Sequence, residues 1–186
     1  MLGYAFCGSF CTHARALREL ERLAEAGEEL LPVFSHAVLS TDTRFGKAEE
    51  LISAAEKVCG REGVKTVASA EPLGPAVPLE ALIISPCTGN TLAKIACGIT
   101  DTAVTMAAKA TLRSDSPILI ALASNDALAA NLQNIALLLS KKSVYFLPMR
   151  QDDVLKKPHS LVAEFLMLSE ALAALRRGEQ LRPLFL

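Results

Sequence analysis

The sequence predicts an α/β fold, a doubly wound parallel sheet in a single domain covering residues 1–186. Short apolar runs alternate along the whole chain with stretches of helical periodicity, and right-handed crossovers between such strands build a parallel sheet. One run, 118–122, is almost purely apolar, the pattern of a strand whose sheet is covered by helices on both faces. The length of 186 residues, 51% of them apolar, suffices for one complete core and not for two comfortable ones.

Residues 2–6 read as the first strand and run into Gly8-Ser9. Thr12 then stands where it can cap a helix that carries Ala14, Leu17, Leu20 and Leu23 at helical spacing. Ala26-Gly27 ends that helix, 30–34 forms a second strand, and 35–44 is a polar break. A helix is expected over 47–59 and a weaker third strand over 64–68, before a connection that Pro72, Pro75 and Pro78 keep from being helical throughout. The fourth strand covers 81–85, and 86–90 is a loop opening a helix from Thr91 onward. A further helix carries Ala103, Met106, Ala107 and Ala110. Beyond 118–122, Ser124-Asn125-Asp126 leads into a helix reaching Leu139. Residues 144–147 form a sixth strand, and 160–175 a closing amphipathic helix with His159 in its cap region and Gly178 as its stop.

Composition narrows the function classes. With 19 basic and 20 acidic residues the formal charge is −1, which provides no field for binding a phosphate backbone, so no nucleic-acid partner is expected. The mean hydropathy of +0.33 is high. Yet the longest apolar runs, such as 118–123 and 135–139, fall far below the roughly 20 residues that span a bilayer, so the surplus apolar surface is assigned to contacts between subunits. The first positive charge is Arg15, and no secretory signal is expected. Five cysteines, at positions 7, 11, 59, 87 and 97, form neither a disulfide framework nor a zinc pattern, which implies a reduced cytoplasm and no metal.

Ligands of an open parallel sheet lie beyond the carboxyl ends of its strands. Four polar loops fall there: 7–13, Ser35-His36, 85–91 and 123–126. Their Gly, Ser, Thr and Asn residues supply backbone amides and short hydroxyls. The first loop is neither GxGxxG nor a P-loop, so a monophosphate suits it better than a dinucleotide or triphosphate. The alternative reading of each loop is an ordinary cap or tight turn. His13 and His36 lie at the same edge, whereas Lys141-Lys142 and Lys156-Lys157 read as solvated charges.

The segment Pro86-Cys87-Thr88-Gly89-Asn90-Thr91-Leu92-Ala93-Lys94-Ile95-Ala96, continuing through Gly98-Ile99-Thr100-Asp101, resembles the flavoprotein family of FMN-dependent cysteine decarboxylases and flavin prenyltransferases. The matching family segment commonly reads P-A-S-A-N-T-hydrophobic-A-K-I-A-x-G-I-x-D. Along the rest of the chain the likeness, to the branch that supplies one subunit of an enzyme making the spore compound dipicolinic acid, rests on several shorter stretches. They are 8–12, 40–46, 106–110, 124–128, 145–148, Gln151-Asp152 and Lys156-Lys157-Pro158. Decarboxylases carry P-x-M-N-x-x-M-W after the fifth strand, and of that pattern residues 122–129 keep only Asn125. No Arg stands between Leu119 and Leu147, where prenyltransferases hold phosphate.

The resemblance implies a flavodoxin-like (Rossmann-like) sheet, bound FMN at a contact between subunits, and a homotrimer or a multiple of it. It also implies the mother-cell cytoplasm of a spore-forming bacterium and an oxidation that aromatises a dihydrodipicolinate-type dicarboxylate. The companion subunit is expected to carry NADP or NAD. The expected cofactor-binding residues are Gly8, Ser9, Cys11, Thr12, Ser35, Pro86, Cys87, Thr88, Gly89, Asn90, Thr91, Ser124 and Asn125. The phosphate belongs near Gly8, Ser9, Thr12 and Ser35, and the ring near 87–91. Asn90 and Asn125 are the expected catalytic pair, converging over one ring, where an amide can donate to a ring oxygen and accept from a ring N–H. The competing readings are that each merely caps its helix, and that the chain is an independent FMN-binding decarboxylase or prenyltransferase, or a non-catalytic positioning subunit.

Overall fold

The computed structural model describes residues 1–186. Five parallel strands form the centre of the sheet: β1 (Leu2–Phe6), β2 (Leu30–Phe34), β3 (Ala81–Cys87), β4 (Ile118–Ser124) and β5 (Val144–Phe146), in spatial order β2-β1-β3-β4-β5. Side chains alternate between two cores. Leu82, Ile84, Ile118, Ile120 and Leu122 face one, while Ala81, Ile83, Leu119 and Ala121 face the other. That alternation is the two-residue period of a strand, and every residue of β1 to β4 is buried because helices cover both faces. Burial of each large apolar side chain contributes about 1.5–3 kcal/mol.

Helices α1 (His13–Glu25) and α3 (Ala48–Cys59) pack on one face. On the other lie α5 (Gly89–Cys97), α6 (Ala103–Arg113) and α7 (Leu132–Leu139). In α6 four of the five residues in that core are alanines, Ala103, Ala107, Ala108 and Ala110 beside Val104, and their small size lets the helix sit close to the sheet. Short helices α2 (His36–Ser40) and α4 (Val67–Ala70) fill connections. The α2 turn replaces the start of the expected polar break.

Four expectations are corrected. Residues 64–68 form no strand: Val64 alone bridges to Val33, after which Thr66 Oγ1 accepts from the Ser69 amide at 3.0 Å and turns the chain into α4. The fourth strand runs on through Pro86 and Cys87, so α5 starts at Gly89 and not at Thr91. Residues 125–131 are turns, so α7 starts only at Leu132. The largest error lies at the C-terminal end. In place of a helix over 160–175, β6 (Met149–Asp153) and β7 (Lys157–Ala163) form an antiparallel pair, and α8 covers only Leu168–Arg176. His159 is an exposed strand residue. Strand β5 pairs with β4 only along Ile118–Ile120, which leaves the end of β4 open, and Val162 and Leu161 of β7 occupy it opposite Ala123 and Ser124. The sheet is therefore mostly parallel, with one antiparallel pair attached at the carboxyl edge.

Candidate functional site

At that edge the loops after β1, β3 and β4 meet the β6–β7 pair around a cleft of about 670 Å³. This is within the size range of sites for cofactors and drug-sized ligands. Nine of the expected residues line it: Gly8, Ser9, Cys11, Thr12, Thr88, Gly89, Asn90, Ser124 and Asn125. Pro86, Cys87 and Thr91 are buried and do not line it, and Ser35, also buried and outside the lining, sits at the start of the short helix beside the first loop. Phe10 and Asp126 line it from the expected loops 7–13 and 123–126, and so do Arg15, Phe45, Asp152, Lys157, Ser160 and Val162, which sequence spacing did not single out as site residues.

The first loop is shaped by its own hydrogen bonds. The Ser9 amide donates to Cys7 O at 2.8 Å, the Thr12 amide donates to Ser9 O at 2.9 Å, and Thr12 Oγ1 donates to the same oxygen at 2.7 Å. Thr12 therefore tightens the loop and makes no side-chain cap. The amides of Gly8, Phe10 and Cys11 donate to no protein acceptor. Beside them, across a gap so narrow that a Cβ on Gly8 would lie 3.1 Å from Ala37 Cβ, begins α2. The Ser35 hydroxyl at its start is buried and has no hydrogen-bond partner. Unspent amides and an orphaned buried hydroxyl fit an anionic oxygen acceptor such as a phosphate, since such donors are costly to leave unpaired.

His13 does not supply a cation here. Its Nε2–H donates to Cys7 O at 2.8 Å, and burial lowers its pKa. It faces an adjoining pocket of about 200 Å³ with Phe10, Val38 and Phe45, whereas His36 is exposed and lines neither space. The two buried thiols nearby, Cys7 and Cys87, are equally unreactive. Burial pushes Cys7 up to about 11 and Cys87 well above its ordinary value, so neither is a thiolate near neutral pH.

Asn90 and Asn125 are both exposed on the cleft. Neither caps a helix. The N-cap of α5 is Thr88, whose Oγ1 accepts from the Thr91 amide at 3.3 Å, and the N-cap position of α7 is Asn131. Between the two asparagines lies a polar network. Ser124 Oγ donates to Asp126 Oδ1, Asn131 Nδ2 donates to Asp126 Oδ2 at 2.9 Å, and Asn134 Nδ2 donates to Asn131 Oδ1 at 2.9 Å. Both Asp126 oxygens are thus held by neutral donors and neither meets a cation. The cleft's other carboxylate, Asp152, is paired with Lys157, whose side chain is exposed as expected but is also tied into the cleft wall.

The same network accounts for a departure from the family motif, which carries Ala where this chain has Gly89. A Cβ there would collide with Ser124 Oγ and stand 2.5 Å from Asn131 Nδ2 and 2.7 Å from Asp126 Oδ1. Gly89→Ala is expected to destabilise the protein by about 1–3 kcal/mol in urea denaturation, because the added carbon must displace the network. An unchanged midpoint would show that the network yields freely.

The polar cleft at the carboxyl edge of a 2-1-3-4-5 parallel sheet defines a class of flavodoxin-like proteins, and a sequence profile described as Flavoprotein matches residues 54–165. The chain belongs to the Flavoprotein family. Over 98% of its length it is 39% identical to the B subunit of dipicolinate synthase from Bacillus subtilis (strain 168), covering 92% of that protein. The crystal structure of the corresponding B subunit of dipicolinate synthase from Bacillus halodurans superposes with a TM-score of 0.91 at 40% identity, covering 100% of this chain and 95% of that one. The FMN-dependent cysteine decarboxylase SpaF shares the fold, with a TM-score of 0.68 at 22% identity over 95% of each chain. The family expected from the 86–101 segment is thereby borne out.

Proposed function

We propose that this chain acts as the B subunit of a dipicolinate synthase, contributing to the oxidation of a dihydrodipicolinate-type intermediate to dipicolinic acid. The observation that carries this reading is identity of 39%, spread over nearly the whole chain, to the B subunit of the Bacillus subtilis dipicolinate synthase. The FMN phosphate would be held by the amides of Gly8, Phe10 and Cys11 and the Ser35 hydroxyl, with Ser9 and Thr12 shaping the loop. The ring would lie over Thr88, Gly89 and Asn90, with Ser124 and Asn125 opposite. Pro86, Cys87 and Thr91 support that wall from behind. Bound FMN supplies a two-electron acceptor.

Aromatisation of a dihydropyridine removes one hydride and one proton from the ring, and the proton needs a base. Asp126 fits that role: its carboxylate is on the cleft, is held by Ser124 and Asn131, and is not neutralised by a cation. Asn90 and Asn125, free of capping duty, orient the planar ligand through their amides. The companion is the nicotinamide-dependent A subunit of dipicolinate synthase, carrying NADP or NAD.

Self-assembly into a homotrimer or a multiple of it is part of the same reading. Phe45, Leu132, Leu137, Leu155 and Leu166 are large apolar side chains left exposed, and such surface is typical of subunit contacts. No helix is long and apolar enough to cross a membrane, and the cytoplasm is the proposed compartment.

The test is to purify the chain, record its visible spectrum, and assay dipicolinate formation with and without the companion. A flavin spectrum, and activity that appears only on mixing, are the expected results. Full activity of the companion in isolation, unchanged by this chain, would overturn the proposal.

A further inference from the structure

Arg15 is the third residue of α1, exposed on the cleft wall. Its guanidinium carbon lies 5.3 Å from the centroid of the Phe165 ring, and Phe165 is itself only 2% exposed, so the platform under the cation is fixed. No carboxylate pairs with Arg15 and none of its N–H groups is spent on a protein acceptor. Of the two cations on the cleft, Lys157 is already paired with Asp152. Arg15 is therefore the one uncompensated positive charge on the cleft wall.

We propose that Arg15 is the specificity-determining residue of this cleft, its planar fork gripping one carboxylate of the dicarboxylate substrate; this rests on the functional reading given above. The guanidinium suits a carboxylate because two parallel N–H groups match its two oxygens. A phosphate could use the same fork, but sheet order separates the two sites. Ser35 follows β2, on one side of β1, whereas Phe165 follows β7, beyond β3 and β4 on the other side. Arg15 leans toward Phe165, away from the orphaned hydroxyl and toward the wall bearing Ser124, Asn125 and Asp126. A diacid held there by one carboxylate presents its ring to the Asp126 side of the cleft, the arrangement that proton removal requires.

The experiment titrates pyridine-2,6-dicarboxylate into the FMN-reconstituted chain by calorimetry in metal-free buffer, for the parent, Arg15→Gln and Arg15→Lys. FMN affinity is measured separately for each. Loss of a bidentate charge-assisted contact is expected to weaken diacid binding by about 10- to 100-fold in Arg15→Gln. Arg15→Lys should recover only part of it, with FMN affinity and thermal midpoint unchanged in both. A parent that binds the diacid, with Arg15→Gln binding it equally well, would overturn the assignment of Arg15 alone. Loss of FMN affinity with diacid binding intact would assign the guanidinium to the phosphate and overturn it as well. A parent that takes up FMN but no diacid would overturn this inference, while the functional reading stands or falls separately on the mixing assay.

Discussion

Asp126→Asn is expected to lower dipicolinate formation by the mixed proteins about 10²- to 10⁴-fold, the usual loss when a general base is removed. The variant separates chemistry from architecture. An asparagine can still accept from Asn131 through its oxygen and donate to Ser124 Oγ through its nitrogen, so the hydrogen-bond network that packs against Gly89 survives. What disappears is the proton acceptor. Thermal midpoint, FMN uptake and diacid affinity should therefore stay close to the parent while turnover collapses. Parent-like turnover would return Asp126 to a purely structural role in the turn before α7. The other carboxylate on the cleft, Asp152, is a weaker candidate for the same task, because Lys157 already occupies one of its oxygens.

Ser9→Glu is the second large effect: FMN affinity should fall at least about 100-fold. Ser9 lines the cleft in a loop locked by the hydrogen bond that its amide donates to Cys7 O and by the two that its carbonyl accepts from Thr12. A carboxylate introduced there stands beside the unspent amides of Phe10 and Cys11 and competes with the phosphate for them. Two like charges about 4 Å apart repel by roughly 4 kcal/mol at the effective dielectric of a protein surface. Ser9→Gln, of the same size without the charge, should weaken FMN far less. Equal FMN affinity of the glutamate variant and the parent in a fluorescence titration would place the phosphate elsewhere.

Much of this protein is legible in local pattern. The runs that became β1, β2, β3 and β4 announce themselves because a strand covered on both faces must be apolar at every position, and no distant residue changes that requirement. The loops that line the cleft were equally visible. Once parallel order is set, the residue after each strand falls at one edge, which is why Ser9, Thr88, Asn90 and Asn125 share one cleft. The family was readable because its motif is a single continuous stretch, residues 86–101, around one helix start.

Tertiary structure decided the rest. Residues 160–175 carry enough apolar positions to suggest a helix, yet Leu161 and Ala163 are buried at the two-residue spacing of a strand, and helical spacing begins only at Leu168. The tie was broken by an open edge elsewhere in the sheet: β5 is too short to cover β4, and Leu161 and Val162 pair with what it leaves bare. That pairing also carries Lys157 and Asp152 to the cleft, turning what reads as a solvated charge run into part of a wall. Arg15 and Asp126 belong to the same category. Their residue types are common on any surface, and only the fold shows one unpaired on an aromatic platform and the other held by neutral donors. Strand identity and loop placement follow from periodicity, which a chain carries within a few residues of itself. Whether a charge is compensated depends on which side chains arrive from far along the sequence, and that is settled only when the edges of the sheet find their partners.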